Sequence, residues 1–228
     1  MKHIRQSLFA LGLIAASGSA GLAATADIAS ASPASVATVQ VQVPQRVAAP
    51  SPRSSAIAQA ATAALQDLRA ATVANDEATF AQYVGQRDAL ATEVALDVGI
   101  EPQRMQQAWA TADRAHQAAL LAALSQLGVP YQRNTSAESK GFDCSGLTTF
   151  AWHAGGVDLY RQSRSQIQQA TPVSALAAQA GDLVYYPGHV SMYLGVDRAI
   201  VHAVGRGRFV EIGHIRTGKS VKFGNPIG

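Results

Sequence analysis

The sequence predicts an α+β protein: an Ala-rich helical segment followed by a compact domain in which a short helix packs against an antiparallel sheet. Three observations carry this. Apolar residues recur at helical spacing from Ser54 to Leu127 and again from Leu147 to Ala154. After Gly181 the period changes to two. The alternating runs are separated by Pro187-Gly188, by Gly195 to Arg198 and by Gly205-Arg206-Gly207, connections short enough to demand antiparallel hairpins.

The N-terminus reads as a secretory signal peptide over residues 1–26. Lys2 and Arg5 precede an apolar run from Ser7 to Ala16 that is too short to span a bilayer, and Ala24-Thr25-Ala26 offers a cleavage site. No cysteine lies there to carry a thioether-linked lipid, so no stable membrane anchor is expected after cleavage. Removing Lys2 and Arg5 lowers the formal charge from +3 to +1 (3 − 2 = 1), which gives no electrostatic case for nucleic acid. Residues 27–53, with Pro33, Pro44, Pro50 and Pro52, read as a disordered linker. Val39 to Val43 alternates like a strand, but Pro44 ends it and it is assigned as coil.

Residues 54–112 form the helical segment. Ser54 to Arg69 is an Ala-rich helix. Asp76 caps a second, which Gly99 ends, and Pro102 suits the first turn of a third carrying Trp109. Residues 113–228 form the second domain. Ala115 to Leu127 is helical until Gly128-Val129-Pro130-Tyr131, and Gln132 to Lys140 is a polar loop. His116 has no ligand-spaced neighbour and reads as surface or packing. No Cys pair, His-Glu-x-x-His motif or acidic calcium loop occurs, so neither metal nor cofactor is expected.

The chain's single cysteine, Cys144, follows Asp143, a good N-cap, and precedes Leu147, Phe150, Ala151 and Ala154 at helical spacing, with Gly155-Gly156 as the stop. Cys144 is therefore expected in the first turn of a half-buried helix, where free N–H groups and the macrodipole favour a thiolate. A lone cysteine is more often a small buried hydrophobe. In an exported chain, however, an unpaired thiol flags a reactive group. Ser163 is read as the cap of a short helix through Ala170.

Strands follow at Gly181–Tyr186, His189–Leu194, Ala199–Val204 and Phe209–Ile212. If Leu194 pairs with Ala199, Ser191 faces His202 and His189 is its diagonal neighbour, within about 7–8 Å. A slip of one residue would put the two histidines on opposite faces. If the Cys144 helix packs on their face, nucleophile, base and orienting group fall in a row. His153 and His214 read as surface residues.

Gly141-Phe142-Asp143-Cys144-Ser145-Gly146-Leu147, Gly181 to Tyr186, His189 to Gly195 and Ile200-Val201-His202-Ala203 together resemble the NlpC-type cell-wall cysteine peptidases, over about residues 113 to 212. The resemblance implies a papain-like α+β fold and hydrolysis of peptidoglycan stem peptides, typically between D-γ-glutamate and the diamino acid. It implies Cys144 as nucleophile, His189 as general base and His202 as orienting group. Tyr131, Asp143, Ser145, Arg161, Ser163 and Gln166 would contact substrate. Gln132 to Thr135 replaces the family's Trp-Gly-Gly, Tyr160 a common proline, and Ser191 a common glycine, all outside the three catalytic positions. Competing readings are an amidase or acyltransferase on the same fold, or a non-catalytic wall-binding protein. The expected site of action is the cell wall or the extracellular space.

Overall fold

The computed structural model describes residues 49–228. The signal peptide expected at 1–26, the coil at 39–43 and most of the linker at 27–53 lie outside the described residues. Four helices open the described chain. α1 spans Pro52–Ala74, with the Ser51 hydroxyl capping Ser54 N–H. It ends where Asn75 takes φ 51°, a left-handed stop. α2 spans Glu77–Asp97, capped by Asp76, whose Oδ1 accepts Thr79 N–H at 2.9 Å. α3 spans Pro102–Thr111, with proline in its first turn as expected. α4 spans Arg114–Leu124, capped by Asp113. It ends before Leu127 because Ser125 to Val129 tightens into turns closed by Gln126 N–H to Ala123 and Val129 N–H to Gln126.

The helical segment shares one core with the sheet and its cysteine helix. Ile57, Leu68, Tyr83, Leu90 and Trp109 belong to the same buried cluster as Leu147, Met192 and Val201. The Trp109 indole donates to Leu194 O at 3.0 Å, tying α3 to the sheet.

After α4 the polar loop contains a small hairpin, β1 (Ser136–Ala137) and β2 (Gly141–Phe142). Next come α5 (Cys144–Ala154) and α6 (Ser163–Gln169). Ser163 is the first residue of α6, not its cap; Gln162 holds that place without a side-chain bond. Six strands then form one antiparallel sheet. They are β3 (Thr171–Val173), β4 (Leu183–Tyr186), β5 (His189–Tyr193), β6 (Ala199–Ala203), β7 (Val210–His214) and β8 (Lys222–Asn225). Their order is β3-β8-β4-β5-β6-β7.

Two strands of this sheet were not expected. β3 contains Pro172, which is tolerated because β3 is an edge strand. In β8 Phe223 is the only large apolar residue. Gly224 lets α6 approach: a Cβ there would stand 2.8 Å from Ile167 Cδ1 and 2.9 Å from Ala170 Cβ.

The β5–β6 register is the expected one. Met192 faces Val201, Tyr193 faces Ile200, and Leu194 N–H donates to Ala199 O. The location of the cysteine helix differs from the simplest expectation. Val190, Met192 and Val201 join the core that contains α5's Leu147, Ala151 and Trp152. The alternate residues Tyr193 and Ile200 join a second cluster with Val184, Ile215 and Phe223. By strand alternation His189 and His202 belong to this second side. Helix α5 thus lies behind the histidine-bearing face, and Cys144 at its first residue meets the sheet at the start of β5.

Candidate active site

The first turn of α5 is built around Asp143. Its Oδ1 accepts Gly146 N–H at 2.7 Å and its Oδ2 accepts Asn134 N–H at 2.8 Å. Arg161 donates to both oxygens, at 2.9 and 2.7 Å, and also to Ser145 Oγ at 3.0 Å. Burial pushes the Asp143 carboxyl up. The Arg161 guanidinium and the N–H groups of Gly146 and Asn134 outweigh it and hold the carboxyl below the usual range. Gly146 is required for close approach: a Cβ there would lie 2.0 Å from Thr135 O.

Gln166 is fully buried. Its amide nitrogen donates to Ser145 O and Thr149 Oγ1, both at 2.9 Å, and its oxygen accepts from Thr148 Oγ1 at 2.7 Å. This corrects the expectation that Gln166 lines the cleft. An amide enclosed on both ends by α5 clamps α6 onto the cysteine's helix and has no atom left for substrate. Ser145 is also buried, and the oxygens of Asp143 are already engaged. Of the six residues expected to contact substrate, Tyr131, Arg161 and Ser163 keep solvent-accessible surface beside the site.

Cys144 is half-buried and unpaired. Burial pushes its thiol up and the Asp143 charge adds to this, while the N–H groups of Val190, Ser145 and Cys144 itself pull the other way without prevailing. The direction runs against the expected depression of the thiol: desolvation of the sulfur exceeds the pull of the three N–H groups. The Val190 N–H stands beside the sulfur, so the backbone at the start of β5 approaches Cys144.

His189 and His202 meet as the register implies. Nε2 of His189 and Nδ1 of His202 are hydrogen-bonded at 2.8 Å, the rings 5.0 Å apart and nearly perpendicular at 83°. Burial, the neighbouring His202 and Arg216 bring His189 down to about 3. Burial, Arg208 and Arg216 bring His202 down to about 4. Both rings are thus neutral at pH 7, and one donates the shared hydrogen to the other. Tyr186, paired across the hairpin with His189, lies over its ring at 5.1 Å and 31°. Tyr131 is raised first by burial and then by the nearby charges of Cys144 and Asp143. Its N–H donates to Arg208 O at 2.8 Å, which ties the cysteine side of the site to the loop before β7.

Three contributors escaped the sequence reading. Tyr186 was recoverable, since the Pro187-Gly188 turn sets it opposite His189. Arg216 and the Val190 N–H carried no local signal, because their proximity arises from tertiary packing. Among the described residues no group of three or more His, Cys, Asp or Glu side chains is placed to hold a metal ion. None of the described helices is long and apolar enough to cross a membrane.

The chain is similar to known proteins over this region. Residues 128–222 match the NlpC/P60 family. A probable endopeptidase of Corynebacterium glutamicum is 33% identical over 126 residues, 54% of this chain and 59% of that protein. The peptidoglycan endopeptidase RipB of Mycobacterium tuberculosis is 38% identical over 87 residues, 31% of this chain and 36% of that protein. The solved structure of the peptidoglycan hydrolase RipB from the same organism is 27% identical, covers 68% of this chain and 88% of that one, and superposes with a TM-score of 0.46. The match thus spans little more than half the length of the first of these curated relatives and about a third of the second. The chain carries an NlpC/P60-family domain across residues 128–222, with α1 to α4 packed into the same core.

Proposed function

We propose that this protein is a cysteine peptidase that hydrolyses peptidoglycan stem peptides at the D-γ-glutamyl–diamino acid bond. The observation that carries the reading is the 2.8 Å imidazole pair of His189 and His202 at the start of the strand that meets Cys144. With Nε2 engaged by His202, Nδ1 of His189 is the nitrogen that takes the thiol proton. Because thiol and imidazole rest in their neutral forms, the proton moves as the sulfur attacks the amide carbonyl. The Cys144 backbone N–H stabilises the oxyanion. His189 then gives its proton to the leaving amine, and water hydrolyses the thioester. Exported through a signal peptide at residues 1–26, the enzyme would act in the cell wall or outside the cell.

The test is digestion of purified peptidoglycan by the full chain, with products identified by mass spectrometry. Release of fragments ending in D-γ-glutamate is expected, and Cys144→Ala abolishes it while the circular dichroism spectrum is kept. His189→Ala loses more turnover than His202→Ala, since a base matters more than the group that orients it. Cleavage retained by Cys144→Ala, or products cut at the glycan–peptide link, would overturn the reading.

A further inference from the structure

We infer that Tyr186 is a positioning residue of this site: the face of its ring holds the His189 imidazole and steadies the positive charge that the imidazole carries while the thiol proton is on it. The inference goes beyond the peptidase reading but rests on it for the general base.

The backbone builds the ring pair. Tyr186 ends β4 and His189 opens β5, and the two pair directly across the Pro187-Gly188 turn. Directly opposed residues project from the same face of a sheet. Gly188 takes φ 86°, which lets so short a turn set them opposite each other. The ring centroids lie 5.1 Å apart with planes 31° from parallel, an offset stack rather than an edge contact. His202 meets the same imidazole nearly at right angles, at 83°. Two contacts at different angles fix the plane of the base. Tyr186 also looks toward the cysteine: burial raises its phenol, Arg216 opposes this, and charge on Cys144 adds to the rise.

Electrostatics gives the ring its task. Between taking the thiol proton and giving it to the leaving amine, His189 is an imidazolium. Burial acts against that charge, then the neighbouring His202, then Arg216. Neutral His202 offers Nε2 an acceptor but no countercharge. Glu211, opposite His202 on β7, is taken by Arg208. Among the described residues neither imidazole of the pair is bridged to a carboxylate; the histidines that are bridged are His116 and His153. The electron-rich face of Tyr186 is what remains. A cation within about 6 Å of an aromatic centroid is attracted by the ring quadrupole, most strongly where water is excluded. His189 stands inside that range.

The test holds shape constant and varies the charge on the ring face. Phenylalanine and its 4-fluoro, 3,5-difluoro and 3,4,5-trifluoro analogues are placed at position 186 of the full chain by nonsense suppression, and hydrolysis of a defined stem peptide is followed. Tyr186→Phe should keep kcat near the unsubstituted value. Across the fluorine series kcat should fall stepwise, by about tenfold at the trifluoro form, with KM unchanged, because the charge exists only after substrate is bound. Tyr186→Leu should lose at least as much. A ring that only packs gives a flat fluorine series. A flat series, or a loss in Tyr186→Phe as large as in Tyr186→Leu, overturns the proposal.

A second measurement separates this from failure of the peptidase reading. Iodoacetamide forms a carbon–sulfur bond with Cys144 as iodide leaves, and the thiol proton passes to His189; no peptide bond is involved. At about pH 6, where free thiolate is scarce, the alkylation rate read by mass spectrometry should fall along the same fluorine series. If no stem peptide is cut, this series decides: a falling rate supports the role of Tyr186 without the peptidase, and a flat one refutes it.

Discussion

His116→Leu should destabilise the protein more than any change at an exposed histidine. The imidazole is fully buried and bridges two carboxylates, Nδ1 to Asp113 Oδ2 at 2.7 Å and Nε2 to Asp182 Oδ1 at 3.1 Å. It also stands edge-on to Trp152, with centroids 4.8 Å apart. Asp113 is half exposed and water can replace its lost partner. Asp182 is 1% exposed and would keep only the Gln179 N–H on its other oxygen. Removing one partner of a buried ionic contact costs about 3–5 kcal/mol, and the edge-on ring pair adds about 0.5–1.5 kcal/mol. Leucine refills part of the volume, so a net loss of about 4 kcal/mol is expected. At about 2–4 °C per kcal/mol for a domain of this size, the melting temperature should fall by roughly 8–16 °C. Urea titration and thermal melts at pH 7 measure this. Adding Asp182→Asn removes the stranded charge and should restore about 2 kcal/mol, a coupling typical of contacting groups. A single-variant loss below about 1 kcal/mol, the scale of a surface change, or a double variant no better than His116→Leu, would refute the reasoning.

Two further predictions concern the site. Because burial raises the Cys144 thiol and lowers His189 to about 3, iodoacetamide labelling should climb with pH through and beyond the ordinary thiol range, and kcat/KM should stay flat on the acid side through the normal histidine range. A labelling plateau already reached at neutral pH would mean a resting thiolate–imidazolium pair. Arg161→Met should cost about 1–2 kcal/mol at pH 7, discounted from the buried-pair range because the Arg161 side chain is 41% exposed. The Asp143 carboxyl is held below its unfolded value, so its contribution is full above that value and disappears as pH falls through the folded one. The gap in melting temperature between the two proteins should therefore close below about pH 4; a gap that persists or widens there would contradict the assignment.

The elements with strong local grammar were legible in the sequence. Asp76, Asp143 and Pro102 mark helix starts where the helices begin. The Gly195 to Arg198 turn fixes the register that brings two imidazoles together. What escaped was set by distant contacts. Pro172 and Gly224 look like strand breakers, yet each serves a sheet position defined by residues far along the chain. Gln166 sits in a block that the resemblance assigned to the cleft. Nothing local reveals that Thr148 and Thr149 on the facing helix consume its amide. The thiol departs from expectation because the macrodipole is readable from a cap, whereas desolvation depends on everything packed around it.

The place of β8 between β3 and β4 bears on how the protein comes into being. β4, β5 and β6 are all made before the strand that pairs with β4 on its far side. The half-built sheet then presents bare peptide groups to any other chain. A polypeptide that ends before Lys222 should remain sticky and inactive, because β4 waits for a strand that begins 20 residues after His202 (222 − 202 = 20). For an enzyme proposed to attack a cell's own wall, such lateness would keep the blade sheathed until the whole length has been delivered.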